Sequence, residues 1–194
     1  MPEWLQTFLS WLQGLQPGTA SFLGSFTGAS IGLIAILIGA LINAHLNRNR
    51  DDRLRRLDAR AAASALKAEL SAINETLLQH ITHAQTKPPA SGEGYYVPDL
   101  SQGIRAFPHI LPKIGLFDVE TIRPVLDAYG ILEQYAETLV MGAGGKQAAN
   151  APLNRRAIYV PGTNIDSLMK LDRKTSDFVQ AAIAKLDAFL EKNP

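Results

Sequence analysis

The chain divides by its pattern of apolar and polar positions. Residues 22–46 form an almost continuous apolar run, and residues 26–42 carry no charge. About 25 residues of helix span about 37 Å, against a bilayer hydrocarbon core of about 30 Å. The run therefore predicts a helix that crosses a membrane once. Ahead of it, Trp4, Leu5, Phe8, Leu9, Leu12 and Leu15 recur at spacings of one, three and four, with Gln6, Thr7, Ser10 and Gln13 on the other side. This is a short amphipathic helix, ended by Pro17 and Gly18. Its aromatic residues Trp4, Phe8 and Trp11 suit a membrane–water boundary, where an indole keeps its N–H wet.

Beyond the apolar run the period becomes amphipathic. Leu66, Leu70, Ile73, Leu77 and Ile81 step by four, three, four and four, and residues 59–65 are alanine-rich. No breaker intervenes between residues 31 and 87 apart from Gly32 and Gly39, so the apolar helix is expected to run on as one rod and stop before Pro88 and Pro89. A turn-rich segment, residues 87–115, carries enough apolar surface to fold onto the helices. Asp118 can cap a second helix to about residue 141, with Ile122, Leu126, Tyr129, Leu132, Ala136 and Leu139 inward and Pro124 in its first turns or at a kink. A third helix begins near Thr163 or Asn164. Its stripe is Ile165, Leu168, Leu171, Thr175, Phe178, Ala182, Leu186 and Phe189, and it should pack on the first rod. The two linkers share the β-favouring runs Tyr95-Tyr96-Val97-Pro98 and Ile158-Tyr159-Val160-Pro161. These could pair as a ribbon, but the echo is read as coincidence.

The expected fold is all-α. An interfacial amphipathic helix and turn occupy residues 1–18 and a single transmembrane helix residues 19–47. A cytoplasmic antiparallel bundle of about three helices follows in residues 48–194, with helices at about 48–86, 118–141 and 164–191. The 194 residues carry a net charge of +1, and this neutral average hides a strong asymmetry. Before His45 the only charged side chain is Glu3, whereas Arg48, Arg50, Arg53, Arg55, Arg56 and Arg60 crowd the end of the apolar run. Signal peptides begin with a basic region and have shorter apolar runs, so this reads as an uncleaved anchor. The positive-inside rule then puts the C-terminal domain in the cytoplasm of a cell with this chain in its inner membrane, N-terminus outside. The same six arginines suit anionic lipid headgroups, and that position explains them without nucleic acid.

Within the anchor, Gly24, Gly28 and Gly32 repeat every fourth residue, and Gly39 and Asn43 continue their face. Small residues let helix backbones approach in lipid, where apolar burial no longer drives association, and Asn43 could hydrogen-bond across such a contact. The expected partners are membrane lipids, further copies of the chain and a cytoplasmic protein.

Catalytic and cofactor chemistry is not expected. There is no cysteine, hence no thiol nucleophile or cysteine metal site. His80 and His83 lie one turn apart, but the Glu-x-x-His pattern of di-iron bundles is missing because position 77 is leucine. They read as solvated, like His45 and His109. Arg105 and His109 are too close in sequence for a ribonuclease-type pair. Residues 142–146 mimic a phosphate loop, but Val140 replaces the first glycine and Gln147 the serine or threonine, so they read as a helix terminator. The leading expectation is a non-enzymatic, membrane-anchored scaffold or regulator that self-associates. The alternative is an oligomeric toxic or defensive pore built from the glycine-striped anchor.

Overall fold

The computed structural model describes residues 2–14, 17–90, 92–147 and 157–193. The expected contribution of Leu15 falls outside them. The chain forms two compact units, Met1–Arg53 and Leu54–Pro194. It is mostly helical: α1 (Glu3–Gln13), α2 (Pro17–Thr86), α3 (Phe107–Ile110), α4 (Val119–Gly142) and α5 (Ile165–Lys192).

The first unit holds α1 and the start of α2, and contributes nothing to the buried core among the described residues. Among the described residues one helix, within α2, is long and apolar enough to cross a membrane.

The second unit is built by the amphipathic stretch of α2 with α4 and α5. Its core contains Ala63, Leu66, Leu70, Ile73 and Leu77 from α2, Val125, Leu132 and Leu139 from α4, and Leu168, Val179, Ala182 and Leu186 from α5. Lys67 meets Asp187, Asn74 meets Ser176 and His80 faces Asp172, so α5 runs antiparallel to α2. Tyr135 meets Asp172 and Phe117 meets Phe189, so α5 is antiparallel to α4 as well. The pair α2 and α4 is consequently parallel, and the segment between them carries the chain back. Asp118 caps α4 by accepting from the Thr121 N–H at 2.8 Å. Pro124 lies inside α4, where it removes one intrahelical donor.

Four sequence expectations change. The bundle is not antiparallel throughout, because the long segment between α2 and α4 returns the chain and leaves that pair parallel. The β-favouring runs do pair: β1 (Gly94–Pro98) lies antiparallel to β3 (Ala157–Pro161), with Tyr95 opposite Val160 and Val97 opposite Ile158. A short β2 (Lys146–Gln147) joins the other edge of β3. Val97 and Val160 are buried, so the ribbon closes the core and the echo is no coincidence. On α4, Val125, Ala128 and Tyr135 take inward places, and Leu126 is 42% exposed. On α5, Val179 is inward and Phe178 is 38% exposed, because the contact face runs through Asp172, Thr175 and Ser176.

Candidate functional site

The residues expected to form an anchor lie on the first unit's exposed surface. A Cβ placed at Gly24, Gly28, Gly32 or Gly39 would meet no neighbouring atom, so the glycine face is open along the helix. Asn43 is exposed on the same stretch. Trp4, Phe8 and Trp11 all project from α1 at least half exposed, with the Phe8 and Trp11 rings 6.2 Å apart. The side chains of Leu9 and Leu12 lie outside what the structure describes. Arg48, Arg50, Arg53, Arg55, Arg56 and Arg60 are all exposed. Of these, Arg60 reaches back to donate to the Asn193 carbonyl at 3.4 Å.

The second unit holds two polar clusters that periodicity does not reveal. The first is built on Glu69 of α2. Its Oε2 accepts from the Arg105 and Ala106 backbone N–H groups, both at 2.5 Å. Its Oε1 accepts from the Phe107 N–H at 3.3 Å and the Tyr129 hydroxyl at 2.7 Å. One carboxylate therefore satisfies the free donors where α3 begins and ties that segment to α2 and α4. The Phe107 ring stacks on Tyr129 with centroids 3.9 Å apart. Burial pushes the Tyr129 hydroxyl well above its ordinary range, and the Glu69 hydrogen bond and charge add to this. Glu69 also lines a groove of about 600 Å³, together with Ile73, Thr76, Asp99, Gln102 and Arg105.

The second cluster lies where α2, α4 and α5 meet. Asp172 and Tyr135 are wholly buried, and the Tyr135 hydroxyl donates to Asp172 Oδ1 at 2.5 Å. Asp172 Oδ2 faces His80 Nδ1 at 3.9 Å, too far for a hydrogen bond. Both atoms are buried without a partner, as is Thr175 Oγ1. Burial pushes the Asp172 carboxyl up to about 7, against the Tyr135 hydrogen bond, which lowers it. Burial also lowers His80, and the charge of His83 lowers it further. Tyr135 is raised by burial, then by the charge and hydrogen bond of Asp172. His80 is thus not the solvated residue expected from sequence. Its ring is only 19% exposed and Nδ1 points into the core.

The other histidines stay apart: His45 meets Asn49, His83 packs edge-on against Tyr95, and His109 is exposed at the end of α3. Among the described residues no three of His, Cys, Asp and Glu group to hold a metal ion. Residues 142–146 end α4 rather than form a phosphate loop. The Ala143 and Gly145 N–H groups both return to the Leu139 carbonyl, and Gly144 takes a positive φ of 61°. Comparison with protein-family models, with characterised proteins and with solved structures returned no match.

Proposed function

We propose that the protein is a single-pass, membrane-anchored helical-bundle protein that self-associates through its anchor and serves as a non-enzymatic scaffold or regulator at the cytoplasmic face. The observation that carries this reading is the apolar stretch of α2. None of its most apolar window is buried in the chain. Water tolerates no such surface cheaply: fully burying a leucine or isoleucine side chain is worth about 1.5–3 kcal/mol. Lipid and a second copy are the two coverings its chemistry accepts. The open face at Gly24, Gly28, Gly32 and Gly39 suits close backbone contact with a copy, and Asn43 can add a hydrogen bond there. Exposed Trp4, Phe8 and Trp11 suit the outer interface of an inner membrane, with the N-terminus outside. The exposed arginines suit the anionic headgroups of the inner leaflet.

Purification in mild detergent followed by light scattering tests the proposal. A membrane-bound small oligomer, a dimer above all, is expected. Recovery in the soluble fraction, or a strict monomer at micromolar concentration, overturns it. A ring of five or more copies would replace the scaffold with a pore.

A further inference from the structure

The cluster around Asp172 is costly and has no role in holding an anchor. A carboxyl group with no exposure sits on the buried face of α5, which is otherwise lined by Leu168, Thr175, Ser176, Val179, Ala182 and Leu186. Groups so placed normally have complete hydrogen bonding, because each buried polar atom left unpaired costs about 1–3 kcal/mol. Here three atoms are unpaired: His80 Nδ1, Asp172 Oδ2 and Thr175 Oγ1. Two of them face each other across 3.9 Å. The titratable groups around Asp172 are Tyr135 from α4 and His80 from α2, with His83 beyond His80. Among the described residues, no lysine or arginine forms an ion pair with Asp172.

We propose that His80, Tyr135 and Asp172 form a proton-operated lock between α2, α4 and α5, closed while one proton is held at Asp172 and loosened when that proton is lost. With the proton on Oδ2 the carboxyl group is neutral, so no charge lies in the core. A shift of about 1 Å then lets Oδ2–H donate to His80 Nδ1. Loss of the proton leaves a carboxylate with one fixed donor, the Tyr135 hydroxyl. The His80 ring stands 3.9 Å off, so the charge must admit water as its second donor, and this parts α5 from α2. His80 is placed to pass the proton, since its ring is partly exposed while Nδ1 faces Asp172.

The sign follows from linkage. A folded-state carboxyl held near 7, against an ordinary value of 3.8, gives stability that is fully present below about 3.8 and lost as pH rises through about 7. His80 acts in the opposite sense, being held neutral in the fold: its contribution is present above 6.5 and lost as pH falls. The two partly cancel in total stability, so the test compares proteins rather than pH values alone.

The experiment is urea unfolding of the full chain in detergent at pH 6 and pH 8, for the wild type and Asp172→Asn. Histidine effects largely cancel in the ratio of their unfolding constants. Raising the pH from 6 to 8 should destabilise the wild type about tenfold relative to the variant, one decade being 1.36 kcal/mol. A ratio that changes by less than twofold overturns the lock. Should Asp172→Asn fail to fold, carbon NMR of the wild type labelled at its aspartate carboxyl groups decides the matter. One carboxyl titrating between pH 6 and 8 supports the proposal; none titrating above pH 5 overturns it. Tyr135→Phe removes a donor to the carboxylate and should move the titration upward. A merely structural tyrosine would leave that midpoint in place.

Discussion

Replacing Glu69 by alanine should release the segment between β1 and α4 from the bundle. The substitution frees four donors. The Arg105 N–H is exposed and can turn to water at little cost. The Ala106 and Phe107 N–H groups and the Tyr129 hydroxyl are partly buried, and Tyr129 as a residue is only 1% exposed. At about 1–1.5 kcal/mol for each donor left without a partner, the loss is about 3–4 kcal/mol. For a domain of this size that lowers the melting temperature by about 10 °C. Glu69→Gln keeps the shape but turns an amide toward backbone donors, so about half the loss should remain. Tyr129→Phe alone should cost about 1 kcal/mol. Combined with Glu69→Ala it should add almost nothing, since both remove the same bond. Thermal and urea unfolding of the full chain in detergent, followed by circular dichroism, measures all four. Glu75→Ala, an exposed change on the same helix, is the control. If Glu69→Ala unfolds within 0.5 kcal/mol of that control, the carboxylate does not hold the segment and this account of it is wrong.

Other tests bear on separate parts of the molecule. Gly28→Leu inserts a side chain on the open glycine face, so crosslinked oligomers in membranes should fall about tenfold, while Ile34→Leu leaves them unchanged; equal yields would remove the anchor from self-association. Gly94→Ala drives a Cβ into the Val160 carbonyl and the Tyr159 ring, so stability should drop by about 1–3 kcal/mol, whereas an unaltered protein would deny the pairing of β1 with β3. A reporter that fluoresces only in the cytoplasm, joined after Pro194, should be bright; a dark fusion with an active periplasmic reporter would reverse the orientation.

The three main helices were legible because their stripes obey one period, and caps at Asp118 and Asn164 mark two starts. The Asn164 side chain makes no cap bond, however, and instead donates from Nδ2 to the Ala143 carbonyl at 2.9 Å, tying the start of α5 to the end of α4. Errors appear where a helix buries polar residues. The stripe expected on α5 passes through Phe178, which is exposed, and omits Asp172 and Val179, whereas its Leu171 packs at the edge of the core. The true face is Leu168, Asp172, Thr175, Val179, Ala182 and Leu186, which is equally regular once an aspartate is admitted to the core. The same rule hid Tyr135 and left His80 in solvent. Glu69 was invisible for another reason. Its four donors lie 36 to 60 residues away, and no local pattern encodes a partner at that range. Both polar clusters therefore escape any reading that equates charge with surface.

The distribution of burial also bears on how the anchor must be covered. Among the described residues every member of the hydrophobic core lies at Ala59 or beyond, and the second unit closes its core with α2, α4, α5 and the three strands. Conversely, Ile31, Leu33, Ile34, Ile36, Leu37, Ile38, Leu41 and Ile42 are each more than half exposed. Eight such side chains at about 1 kcal/mol or more each amount to roughly 10 kcal/mol of unburied surface, comparable with the whole stability of a typical domain. A chain carrying that surface in water would aggregate before it acted. On the proposed reading lipid covers this surface, and it does so without any specific contact. On the proposed membrane reading a second copy competes with lipid that is equally apolar, so we propose that association falls to the glycine face and Asn43, where close packing and a hydrogen bond offer what acyl chains cannot.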